Sequence, residues 1–258
     1  MGAVIKVFLL LVVGLLVLVV LGVLFLRWRL LRALGGLAEG LEQLGQGMTP
    51  AEIHLQSQPE PEWSEPATVA RQIADLQAAG HVPIGAFTVD EMEGLTLQAL
   101  CNEAGCTWSV VYDYPGVGVW VDVVTRYTDG GGLTATNSAQ VGNMDPMPGK
   151  DRAIEVGADV PRVLELWAQA VRPDGRKPAT AANFVAEFEQ AYAEEMAWRD
   201  QRGGPTAEEV RRVAAQMGDE VDDEVIEATV QVQAAQAALR AAERAAKAKH
   251  GDDTGDDA

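Results

Sequence analysis

The feature that most constrains this chain is Val7–Leu26 (VFLLLVVGLLVLVVLGVLFL), a run without a charge or a strongly polar group. At ~1.5 Å of rise per residue a helix of that length spans about 30 Å, the hydrocarbon thickness of a bilayer, and it satisfies its own backbone hydrogen bonds in lipid. The run exceeds the ~7–15 apolar residues of a cleavable signal peptide. It ends in Phe25-Leu26-Arg27-Trp28-Arg29, without small residues suited to cleavage. A retained single-pass transmembrane anchor over residues 1–29 is therefore expected. Lys6 precedes the run, whereas Arg27, Arg29 and Arg32 follow it. The positive-inside tendency then places the bulk of the chain in the cytoplasm, with Trp28 at the membrane interface.

After the anchor, Leu30, Leu34, Leu37, Leu41, Leu44 and Met48 recur at spacings of four and three, which predicts an amphipathic juxtamembrane helix over 30–48. Pro50, Pro59, Pro61 and Pro66 make residues 49–66 read as a Pro-rich linker.

A folded α+β domain is expected over 67–204. It opens with a helix whose apolar face is Val69, Ile73 and Leu76, stopped by Gly80. The period then changes to two, and residues 84–89, 95–101, 106–114, 117–128 and 133–137 read as a five-stranded antiparallel meander. Tyr114-Pro115-Gly116-Val117 suits a two-residue hairpin turn, which would set Tyr112 opposite Val119, Val110 opposite Val121 and Trp108 opposite Val123. A loop at 102–105 would set Cys101 opposite Cys106, Ala99 opposite Trp108 and Leu97 opposite Val110. Residues 137–157 read as a loop. Helices expected over 160–171 and 180–202 would cover the sheet.

Beyond this domain, C-terminal helices fill 205–249. Thr206 and Glu209 form a capping box for the first, running to Met217. The second, about 220–249, carries a seam of Val221, Val225, Ala228, Val232, Ala235, Leu239, Ala242 and Ala246 at 3.5-residue spacing, the period of a coiled coil or helical hairpin. Acids at its start and bases at its end match the helix dipole. Residues 250–258 read as a disordered acidic tail.

The chain carries a net charge of −18, and residues 51–258 hold 16 basic against 36 acidic residues. That balance disfavours nucleic acid as a partner and permits a protein partner or a homo-oligomer. No metal-ligand spacing links His54, His81, His250 and the two cysteines, and no nucleotide-loop or hydrolase motif occurs, so neither metal nor cofactor is expected. The candidate surface is the second sheet face, where the expected register collects Asp113, Trp120, Asp122 and Arg126 beside Thr96, Gln98 and Ser109. An aromatic, two carboxylates and a guanidinium together suit a ligand or a partner, and paired carboxylates with separated pKa values suit acid–base chemistry. Cys101 and Cys106, if opposite one another, would form a disulfide outside the cytoplasm and remain thiols within it.

Gly80-His-Val-Pro-Ile-Gly-Ala-Phe87, together with Asp129-Gly130 and Thr134-Ala-Thr136-Asn137, resembles a pattern of uncharacterised bacterial membrane-anchored proteins with a small α+β domain. The resemblance covers about Val69–Val171 and implies the α+β fold without an activity. The sequence thus leads to a membrane-anchored protein-binding or scaffolding domain. The alternatives are a ligand sensor or enzyme working through the polar sheet face, and an envelope protein that homo-oligomerises.

Overall fold

A computed structural model describes residues 50–217 and 221–252; the apolar run, the juxtamembrane segment and the end of the acidic tail lie outside the described residues. No helix among the described residues is long and apolar enough to cross a membrane. Residues from Pro50 onward cluster as one unit.

The fold is α+β. Seven strands lie in one sheet in chain order: β1 (Leu55–Ser57), β2 (Val82–Val89), β3 (Thr96–Asn102), β4 (Thr107–Tyr114), β5 (Gly118–Arg126), β6 (Gly132–Thr136) and β7 (Lys150–Ile154). The expected meander is present as β2 to β6, all antiparallel. Two edge strands extend it. β1 comes from the expected linker, where Ile53 and Leu55 are buried. β7 comes from the expected loop and runs parallel to β6, so the sheet is mixed.

Among the described residues five helices accompany the sheet: α1 (Pro66–Ala78), α2 (Val160–Ala170), α3 (Phe184–Gln201), α4 (Ala207–Met217) and α5 (Asp223–Asp252). Pro66 starts α1 where a missing N–H costs nothing, and Gly80, at φ +87°, lets the chain leave it. On one sheet face Leu100, Val111, Val121, Val123 and Ala135 pack with Val69 and Leu76 of α1 and with Val160 and Val163 of α2. On the other, Leu97, Ala99, Cys101, Trp108, Val110, Tyr112 and Trp120 pack with Phe184, Phe188 and Tyr192 of α3. Apolar packing on both faces replaces the expected division into one apolar and one polar face. β4 is accordingly buried at every position from Thr107 to Asp113.

Both hairpin registers differ from the sequence expectation. β4 and β5 join through three residues, Pro115-Gly116-Val117, with Tyr114 opposite Gly118. Val117 donates to the Tyr114 carbonyl at 2.9 Å, which closes the expected Pro-Gly turn, but Val117 itself stays outside the ladder and pairing begins at Gly118, at φ +109°. Tyr112 therefore faces Trp120, Val110 faces Asp122 and Trp108 faces Val124. A slip of one residue exchanges the faces of every β5 side chain. Between β3 and β4 the shift is two residues, with Cys101 opposite Trp108, Ala99 opposite Val110 and Leu97 opposite Tyr112, so sidedness is kept. Cys106 sits in the turn at φ +53°, not opposite Cys101, and both cysteines are free.

α3 and α4 are joined by an ion-pair and capping cluster. Thr206 and Glu209 make the expected capping box, Thr206 N donating to Glu209 Oε2 at 2.7 Å and Glu209 N to Thr206 Oγ1 at 3.2 Å. The buried Glu209 also binds Arg202 and accepts from Asp145 N at 2.7 Å. α5 is clamped by Arg240 and Arg244 on the buried Asp200 of α3, with Arg240 Nη2 at 2.7 Å from Asp200 Oδ1. It passes so close to Gly204 that a Cβ there would meet the Gln233 backbone at 3.3 Å.

Asp113 ties the start of α1 to the sheet. Its buried carboxylate accepts from Ser64 N, Ser64 Oγ and Glu65 N, the residues that lead into α1. Asp113→Ala leaves these donors without their acceptor, and an expected loss of about 2–4 kcal/mol follows. Thermal unfolding checks this, with a fall in Tm of about 5–12 °C expected for a domain of this size.

Candidate functional site

The four residues expected on one polar face divide between two. Asp113 belongs to the α1/α2 side, with Ser109. Trp120, Asp122 and Arg126 alternate along β5 on the α3 side, and Tyr112, Thr134, Thr136, Lys150 and Arg152 of the adjoining strands share that face. The rings of Trp120 and Tyr112 stack at 4.8 Å with an interplanar angle of 11°.

α3 lays a row of carboxylates over this face. Arg126 Nη2 lies 2.9 Å from Glu194 and its Nε 3.7 Å from Glu187; Lys150 reaches Glu194 at 3.3 Å and Lys177 reaches Glu187 at 3.5 Å. Arg152 pairs with Glu195 at 2.8 Å and donates to the Val141 and Met144 carbonyls, tying down the loop before β7. Glu195 also takes Arg199 at 2.6 Å. Three atoms in this layer are shut off from solvent without a hydrogen-bond partner: Asp122 Oδ1, Arg126 Nε and Glu187 Oε2. Asp122 and Arg126 share the face without pairing, because α3 supplies the anions for Arg126.

Burial sets the ionisation here. It pushes the Asp122 carboxyl up to about 6, against the Thr136 and Tyr112 hydroxyls and the Arg152 guanidinium, which favour the charged form. Burial likewise raises the Tyr112 hydroxyl, with the Asp122 charge adding to it. For Glu194 burial also pushes upward, but the hydrogen bond from Gln190 and the charge of Arg126 outweigh it and hold the carboxyl below its ordinary value. Desolvation and the Arg126 charge lower Lys150. A carboxyl that titrates near 6 beside a hydroxyl and a guanidinium is suited to exchanging a proton. Asp122 as a whole is half-buried, and its Oδ1 is the atom shut off from solvent.

Arg152, Glu195, Thr136 and Tyr192 belong to this cluster and were not legible as such in the sequence. Arg152 sits in a stretch whose prolines and glycines read as loop, and the α3 residues lie on a helix with acids on several sides. A second unanticipated pair lies on the α1/α2 side, where Ser109 Oγ and His81 Nδ1 are 2.9 Å apart. Both residues are buried, and burial lowers the His81 pKa. The pair ties β4 to the end of α1 and is shielded from any solute. Cys101 donates to the Ala179 carbonyl at 3.2 Å, and burial, with the charges of Glu103 and Cys106, pushes its thiol up to about 11, which makes it a poor nucleophile. Among the described residues no cluster of three or more His, Cys, Asp or Glu is placed to hold a metal ion.

Compared with known proteins, the chain matches no family model, no curated protein and no solved structure. The linkage of Asp122 to stability has a definite sign. Between its ordinary value of 3.8 and about 6 the folded state holds a proton that the unfolded state has released. Its contribution is therefore full below about pH 4 and lost as pH rises through 6, a difference of about 3 kcal/mol. Asp122→Asn is expected to raise stability at pH 7.5 by about 1–3 kcal/mol and to flatten the dependence between pH 4 and 6. Urea unfolding over that range checks it; identical pH profiles for the two proteins would contradict it.

Proposed function

We propose that this is a single-pass membrane protein whose acidic α+β domain binds protein partners on the cytoplasmic side, with α5 as the docking surface. The membrane assignment rests on the apolar run Val7–Leu26 and the arginines that follow it. The observation that carries the docking surface is the side of α5 turned away from its own domain. α5 packs inward through Ile226 and Ala237, while Val225 is 54% and Leu239 61% exposed. Those two belong to the 3.5-residue seam, in which Ala228, Ala235 and Ala242 are also exposed while Val221 and Val232 are half-buried, so the row that sequence periodicity marks for helix pairing lies largely on the open side. Exposed large aliphatics on a helix that is already clamped by Asp200 are available to a partner helix without any rearrangement of the domain.

A ligand-binding or enzymatic role for the face around Asp122 has less support. α3 covers that face, and its carboxylates already neutralise Arg126, Lys150 and Arg152.

A photo-crosslinking residue at Ala235 of the full chain, in native membranes, tests the docking surface against the same residue at Val82, an exposed position on β2. Adducts are expected at 235 and absent at 82, and Val225→Glu with Leu239→Glu should abolish them. Equal adducts at both positions, or adducts indifferent to the two glutamates, would count against the proposal.

A further inference from the structure

We infer that the occupant of the open α5 face is a second copy of this chain, paired antiparallel about a two-fold axis; this rests on the docking surface proposed above. The exposed positions from Ala228 to Ala242 are Ala228, Gln231, Ala235, Ala238, Leu239 and Ala242, all uncharged in a chain of net charge −18. The seam has two interleaved rows, each with a period of seven: Val225, Val232 and Leu239 are large, and Ala228, Ala235 and Ala242 are small.

Size complementarity selects the direction. In an antiparallel pair with Val232 beside Ala235 of the second copy, Val225 falls beside Ala242 and Leu239 beside Ala228. Every large side chain meets a small one, and the two axes approach evenly along the seam. A parallel pair in register would set Val on Val, Leu on Leu and Ala on Ala, leaving alternate layers underfilled. The antiparallel arrangement is isologous, so each contact is made twice.

Charge selects the same direction. Asp222, Asp223 and Glu224 stand at the start of α5, and the sequence places Arg240, Arg244, Lys247 and Lys249 in its last turns, before the helix ends at Asp252. Antiparallel pairing brings the acidic start of one copy to the basic end of the other. Parallel pairing would place acid on acid in two chains that already repel. No partner of different sequence is needed to satisfy either criterion.

Cysteine crosslinking in the full chain, purified in detergent with Cys101→Ser and Cys106→Ser, tests this. Chains with Leu239→Cys are mixed with chains carrying Ala228→Cys and then oxidised. The mixed dimer is expected as the main product. Leu239→Cys alone should not crosslink, because its counterpart lies eleven residues along the partner helix, about 16 Å away and beyond disulfide reach. Leu239→Glu should cut the association constant measured by sedimentation about tenfold or more, since it removes a buried leucine and adds a charge. Dominant crosslinking of Leu239→Cys to itself would overturn the antiparallel pairing. A monomer that still gives adducts with a different protein from position 235 would remove the second copy and leave the docking surface standing. A monomer without adducts would remove both.

Discussion

The β4–β5 hairpin is the constraint on which the rest depends. Gly116 and Gly118, at φ +83° and +109°, allow three residues between Tyr114 and its partner where Pro-Gly alone would allow two. That one residue sends Val119, Val121 and Val123 toward α1 and α2, and Trp120, Asp122 and Arg126 toward α3. Both faces of the sheet then present enough apolar surface to hold a helical layer. The cost is that two ionisable side chains of β5 travel with Trp120 into the α3 layer.

The helical layer on that side is shaped by the need to meet those charges. α3 has little amphipathic character: Phe184, Phe188 and Tyr192 supply its apolar contacts, while Glu187, Glu194 and Glu195 answer Arg126, Lys150 and Arg152. Buried ion pairs of this kind contribute little net stability, but they fix orientation, because removing one partner leaves the other uncompensated. The same logic places α5. Asp200 is fully withdrawn from water, and Arg240 and Arg244 neutralise it, so the rotation of α5 about its axis is set by two arginines. Its aliphatic seam is consequently left on the outside.

Much of this was legible in the sequence where local chemistry decides. The α1 face of Val69, Ile73 and Leu76, the Gly80 stop, the Thr206–Glu209 box and the five central strands all follow from neighbouring residues. What was not legible depends on choices that local chemistry leaves even. Tyr-Pro-Gly-Val-Gly accommodates a turn of two or three residues, and the observed register sets Val119, Val121 and Val123 opposite Asp113, Val111 and Ser109, a pairing that the local pattern alone does not favour over Tyr112, Val110 and Trp108. β1 is three residues long and β7 is an edge strand of mixed polarity, so neither shows an alternation strong enough to stand out from prolines and glycines. Along α5 the sequence holds two rows of helical spacing, one through Val225, Val232 and Leu239 and one through Ile226, Val230, Ala237 and Arg240. Only Asp200, some forty residues away, decides which row turns inward. The polar cluster was half visible: β5 and its alternation gave Trp120, Asp122 and Arg126, but their partners arrive from β7 and α3 through long-range packing.

The most direct test of this account is the pairing of β4 with β5, read from cross-strand backbone nuclear Overhauser effects in the isotopically labelled chain. The account requires contacts of Tyr112 with Trp120, Val111 with Val121 and Ser109 with Val123. Contacts of Tyr112 with Val119 and of Val110 with Val121 would return Trp120, Asp122 and Arg126 to the other face, and the two-sided packing described here would be wrong.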